Sequence, residues 1–171
     1  MNWDLIEFKN EKRFMSNMYP CSVKFDSNYK KRFPMFIFDD MIYHSSEHLY
    51  QALKSKDPRW HEYIRGLKNP KDTKIEAHKL LSKEPSLFDG ELSFQIRQDW
   101  DEVKVKAMEL VLLLKFTQNE ELKEKLLNQK GYIEERNCWG DMFWGTVNGK
   151  GKNNLGRLLM ILRDKLKEDI K

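Results

Sequence analysis

"WDEVKVKAMELVLLLKF", Trp100 to Phe116, decides the architecture. Its first half carries charge and its VLLLKF end is apolar nearly all round, as in a helix buried on several sides. A helix of that kind needs other elements to cover it. Downstream, Asn119 caps a second helix, NEELKEKLL, which ends before Gly131. Next comes YIEERNCWGDMFWGTVNGKGKNN (132–154), glycine-rich and without periodicity, and then an amphipathic helix, LGRLLMILRDKLK. Long irregular loops inside domains are more often functional than idle.

Working upstream, Asp57-Pro58 and Asn69-Pro70 each place a cap residue before a proline at the first helical position, so both open helices. From Ser45 the pattern is also helical: Leu49, Ala52 and Leu53 share one face, while Glu47, Gln51 and Lys54 form a polar stripe. The first third reads as strands and turns: SVKFD (Ser22 to Asp26), a turn at Ser27 and Asn28, then FIF (Phe36 to Phe38) leading through Asp39-Asp40 into MIY. Pro34 is expected at the start or edge of its strand, since it cannot donate to a ladder. The expected fold is α+β and mainly helical: one domain over 1–171, with a small N-terminal antiparallel β element and a long glycine-rich loop near the C-terminus.

The 171 residues suffice for a sizeable core. With 40% hydrophobic and 34% charged residues, the composition is far from disordered. The net charge of +4 suits a protein that meets phosphates, but the charges are dispersed and of both signs, which does not mark a nucleic-acid binder. Two cysteines, Cys21 and Cys138, make neither a disulfide framework nor a C-x-x-C pair. The charged N-terminus lacks an apolar signal core and no run reaches membrane-spanning length, so a cytoplasmic protein with no membrane association is expected.

Three local patterns carry chemistry. "HSSEH", His44 to His48, matches the zinc-protease pattern H-x-x-E-H. A catalytic zinc needs a third ligand, and His61, His78 and the Glu120, Glu121, Glu124 face all have ordinary helical explanations; no metal is expected. Glu47 stands in a first helical turn, where the dipole favours the carboxylate, although a helix-start glutamate with no further role reads the same way. "GKGKNNLGR", Gly149 to Arg157, combines glycines, Lys150, Lys152 and a following helix start. That suits an anion cradle or a plain surface turn. "WGDMFWG", Trp139 to Gly145, sets Asp141 among aromatic rings that either stack on planar bases or pin the loop into a core. Trp100 reads as a core residue.

Together these segments resemble the NADAR family of YbiA-like N-glycosidases, in order and over nearly the whole chain. FMSNMYPCSVKFD is similar to the family's F-x-S-N-F-x-x-x-x-V-x-x-D opening, with Ser16 and Asn17. SSEHLYQALK resembles its S-E-H-x-x-Q-A-x-K helix, with Glu47, His48, Gln51 and Lys54. IRQDWDEVKVKAM resembles R-x-x-W-x-x-x-K-x-x-x-M, with Arg97 and Trp100. IEERNCWGDMFWG and GKGKNNLGR resemble the closing V-E … D-x-x-W-G … G-x-N-x-L-G block, with Glu134, Asp141, Trp144, Gly145, Gly149 and Asn153. The family motif does not use a histidine where His44 stands. The stretch between Glu134 and Trp144 is slightly longer than the pattern and contains two W-G pairs.

The resemblance implies hydrolysis of a ribose C–N glycosidic bond in a phosphoribosylated aminopyrimidine of the riboflavin-intermediate type, or in an ADP-ribosylated guanine, including one carried on nucleic acid. Glu47 and Asp141 are then catalytic. Ser16, Asn17, His48, Gln51, Lys54, Arg97, Trp100, Glu134, Trp144, Gly145, Gly149, Lys150, Lys152 and Asn153 bind substrate, and no cofactor is needed. The parts suit an oxocarbenium-like transition state. The rival class is a non-catalytic module that binds ADP-ribose or a nucleotide; retention of the carboxylates Glu47, Glu134 and Asp141 favours the enzyme.

Overall fold

The long apolar run does form the central helix. In the computed structural model, which describes residues 5–82 and 94–169, α4 spans Trp100–Gln118 and buries every residue from Leu110 to Phe116. Each fully buried leucine there contributes about 1.5–3 kcal/mol. Lys115 is buried with them, and its burial pulls the ammonium down to about 8, against the opposing pull of the nearby Cys21 thiol. The described residues cluster into two units, Pro20–Gln118 and a second made of Met1–Tyr19 with Asn119–Lys171.

In the first unit, β2 (Val23–Lys24) pairs antiparallel with β3 (Ile42–Tyr43), in the register Val23 to Tyr43. α1 (Ser46–Ala52) follows and packs on α2 (Pro58–Gly66), α3 (Pro70–Leu80) and α4. The two proline-opened helices start as expected: the Asp57 side chain accepts from the Arg59 amide and that of Asn69 from the Lys71 amide. β4 (Leu81–Ser82) and β5 (Phe94–Gln95) form a short parallel pair. Phe36 to Phe38 is not a strand, contrary to expectation, and Pro34 lies in a turn. Packing explains the difference. Phe36 is buried under the Arg97 guanidinium, Phe38 stacks on Phe25 at 4.4 Å, and Ile37 between them points to solvent. The alternation is that of an irregular segment anchored at two rings.

In the second unit, β1 (Leu5–Glu7) pairs parallel with β6 (Tyr132–Glu134), Glu7 opposite Glu134. α5 (Glu120–Leu127) and α6 (Asn154–Glu168) pack on each other, and α6 also covers β6. Asn119 stands at the start of α5 with no side-chain cap bond, against expectation. Between β6 and α6 runs the glycine-rich loop. Among the described residues no helix is long and apolar enough to cross a membrane, and both cysteines are free thiols.

Candidate active site

The polar stripe of α1 is not a solvated face. Every residue from Ser46 to Ala52 is buried, Glu47 and Gln51 included. Gln51 Nε2 donates to Glu47 Oε1 at 2.7 Å, the i,i+4 contact their spacing dictates. Glu47 Oε2 receives no hydrogen bond from a described residue. Burial pushes the Glu47 carboxyl above its ordinary range, opposed by the Gln51 bond and by the charges of Lys54 and Lys74. The helix-start dipole expected to hold it ionised is therefore outweighed: desolvation disfavours the charged form more strongly. Lys54 is pushed the other way, its ammonium lowered by burial and by Lys74 while Glu47 opposes.

Lys54 Nζ stands 5.9 Å from the Tyr50 ring centre and 6.0 Å from that of Trp100, and the two rings lie 5.3 Å apart. Cation–π attraction holds the amine over this aromatic pair. Glu47, Gln51, Lys54 and Trp100 thus form one cluster, with a carboxylate oxygen, an amine and two rings. Tyr50 and Lys74 belong to it and were not singled out from the sequence. Tyr50 could have been found from its i,i+4 spacing to Lys54; Lys74 acts from another helix and left no signal.

His48 serves a different purpose. Its Nε2–H donates to the Leu67 carbonyl at 3.0 Å, so Nδ1 accepts from the Ser45 hydroxyl at 2.8 Å. Both ring nitrogens are committed and burial lowers the pKa of the ring, so the neutral tautomer pins α1 to the end of α2. His44 lies outside the helix with its ring edge-on to His48 at 5.9 Å; the one-turn geometry of H-x-x-E-H is not built. Arg97 is also committed: it donates to both Asp99 oxygens (2.7 and 2.8 Å) and to the Met35 carbonyl, and its amide bonds the Lys54 carbonyl. That places it behind the cluster as a brace. The guanidinium holds Asp99 down to about 2.

In the other unit, Asp141 organises the aromatic loop. Its Oδ1 accepts from the Phe143 and Trp144 amides at 2.9 and 2.8 Å, and its own backbone is clasped by the Asn137 amide through two bonds. Oδ2 accepts nothing from a described residue. Phe143 and Trp144 meet edge to face at 4.9 Å, and Lys152 Nζ lies 5.3 Å from the Phe143 ring centre.

The glycine loop folds back on its own carbonyls. Asn148 and Gly149, both at positive φ, turn a hairpin that closes Val147 on Lys150. The amides of Lys152, Asn153, Asn154 and Leu155 then bond the carbonyls of Met142, Gly145, Phe143 and Trp144. Gly145 is required by close approach, because a Cβ there would lie 2.1 Å from the Glu135 carbonyl oxygen. The Asn153 side chain bonds Tyr132, the Ile133 carbonyl and the Glu135 amide. Glu134 accepts from Thr146 at 2.7 Å and from Arg136 at 3.0 Å. The side chains of Lys150 and Lys152 are exposed. Ser16 and Asn17 follow the N-terminal 3-10 turn; Asn17 is buried, and Ser16 Oγ accepts from the Met18 amide.

The NADAR domain family profile matches residues 6–167, across both units. A riboflavin biosynthesis protein of Vibrio vulnificus is 31% identical over 91% of this chain, and the match spans 36% of that protein's length. The N-glycosidase YbiA of Escherichia coli is 33% identical over 75% of this chain and 73% of its own. An N-glycosidase of Nostoc punctiforme is 33% identical over 75% and 77%. The solution structure of Escherichia coli YbiA superposes with a TM-score of 0.73 at 28% identity, covering 99% of this chain and 88% of that one.

Proposed function

The chain belongs to the NADAR family, and from that premise we propose that it is an N-glycosidase that hydrolyses the C–N bond between a ribosyl phosphate and a planar base. The carrying observation is Glu47, a buried carboxylate with one oxygen fixed by Gln51 and the other bonded to no described residue, beside an amine held over two rings. Cleavage of a ribosyl bond develops positive charge at C1′, which a desolvated carboxylate stabilises better than an exposed one. Its raised pKa also suits proton exchange with the attacking water.

In this reading Asp141 has the second chemical role through Oδ2, while Oδ1 keeps the Phe143–Trp144 turn in shape. Trp100 and Trp144 offer faces to the base, and Lys150 and Lys152 attract phosphate. His48, Arg97, Glu134 and Asn153 act by holding these groups in place, and Ser16, Asn17, Gly145 and Gly149 by shaping the backbone around the substrate. The whole matched length works as one domain in the cytoplasm, without a metal or other cofactor.

Phosphoribosylated aminopyrimidines are the favoured substrates, because relatives are named for riboflavin biosynthesis and for N-glycosidase activity. ADP-ribosylated guanine, free or on nucleic acid, is the alternative. Offering both to the purified protein and following released base by mass distinguishes them. Release from the aminopyrimidine alone is expected. Binding of ADP-ribose with no release from either would support the non-catalytic module instead.

A further inference from the structure

The Gln51 amide is satisfied on one side only. Its side chain is 2% exposed, its Nε2 is committed to Glu47, and its Oε1 is sealed from solvent with no hydrogen-bond partner among the described residues. With Glu47 ionised this orientation is the favoured one, because turning the amide over would set its carbonyl against the carboxylate. Buried acceptors are rarely left unpaired in native proteins. Here one is kept on the same amide whose nitrogen is bonded to the Glu47 carboxylate.

We propose that Gln51 Oε1 is the acceptor for the ribosyl 2′-hydroxyl, and that this makes the protein select ribosyl over 2′-deoxyribosyl substrates. The inference rests on the N-glycosidase reading and adds a substrate requirement to it. With Oε1 of Glu47 bound by Gln51, Oε2 is the oxygen that faces C1′. The hydroxyl nearest that centre is the one on the adjacent carbon. It is both small enough to follow the sugar into a closed site and a donor, which is what the amide carbonyl lacks. As charge develops at C1′ the 2′-hydroxyl becomes a stronger donor, so the bond tightens in the transition state. A deoxyribosyl substrate leaves the acceptor unpaired, which costs roughly ten- to hundredfold in kcat/KM.

The test compares a 5′-phosphorylated ribosylaminopyrimidine with its 2′-deoxyribosyl counterpart, on the wild type and on Gln51→Met, which keeps the volume and loses the carbonyl. The wild type is expected to favour the ribosyl substrate by roughly ten- to hundredfold, and Gln51→Met to lose most of that ratio. A ratio has the advantage that a general structural defect lowers both rates and leaves it unchanged. Calorimetric binding of ribose 5-phosphate and of 2-deoxyribose 5-phosphate measures the same acceptor without any turnover, so it separates a wrong acceptor from a wrong reaction. Tighter ribose 5-phosphate binding supports the proposal even for a protein that cleaves neither substrate. Equal binding of the two sugars, equal turnover by the wild type, or a ratio that survives in Gln51→Met each overturns it.

Discussion

α1 and the loop from Asn137 to Asn153 belong to different units and both read as polar, yet they use their polar groups in opposite ways. In α1 and the turn that follows it the backbone is satisfied locally, so the side chains of Glu47, Gln51 and Lys54 remain for other work, and burial raises the Glu47 carboxyl and lowers the Lys54 ammonium. In the loop there is no repeating structure to satisfy the backbone. The side chains of Asn137, Asp141 and Asn153 do that job, and amides that look ready for an anion are bonded to carbonyls of the same loop. Regular structure frees side chains for chemistry, whereas irregular structure consumes them. The comparison can be broken at either end.

The largest effect is expected at Glu47. Glu47→Gln keeps an acceptor for Gln51 and removes the charge, so kcat should fall by roughly a hundred- to ten-thousandfold with KM little changed. The same change should raise the melting temperature at neutral pH. The sign follows from burial: a carboxyl raised in the folded state favours folding while protonated, and that contribution is lost as pH rises through the folded value. A variant that is equally active, or less stable, would show that Glu47 is an ordinary structural glutamate.

Two glycines then test the loop. Gly145→Ala sets a Cβ against the Glu135 carbonyl and should cost about 2–4 kcal/mol by denaturant unfolding. Gly149→Ala meets nothing within 4 Å and bears only the strain of its φ of +74°, which costs about 1–2 kcal/mol. Reversal of that order would mean that close approach does not shape the loop. Smaller again is the phosphate preference: Lys150→Ala with Lys152→Ala should weaken a phosphorylated substrate about tenfold and its dephosphorylated form hardly at all. Equal loss on both would return these lysines to a general surface role.

The smallest effect is a control on the brace behind α1. Asp99 is held down to about 2 by Arg97, so its contribution is complete above the ordinary carboxylate range and fades only as pH falls through about 2. Asp99→Asn should therefore lower the melting temperature slightly at pH 5 and converge with the wild type near pH 2. The pair is partly exposed, which keeps the effect below that of a buried bridge. A difference that persists unchanged at pH 2 would mean that Asp99 acts by packing.

Much of this was legible in the residues. The caps at Asp57-Pro58 and Asn69-Pro70 and the run from Trp100 to Phe116 state their helices in local chemistry, and the ordered motifs identified the family. The two-residue ladders were not legible, because a pair such as Leu5 with Tyr132 has no period and joins distant segments. Nor was the burial of Glu47 and Gln51, since a polar stripe on a helix looks the same whether water or neighbouring helices cover it. The bonding of the loop's amides was hidden for a similar reason: glycines show where backbone passes closely but not what it meets. At Gly145 that is the chain's own carbonyl.

The most direct test of an N-glycosidase is the fate of the bond itself. Hydrolysis of a phosphoribosylated aminopyrimidine in water enriched in oxygen-18 should place one labelled oxygen on C1 of the released ribose phosphate and none on the base. Free base with an unlabelled sugar, label on the pyrimidine, or no cleavage of any ribosylated base would contradict the account.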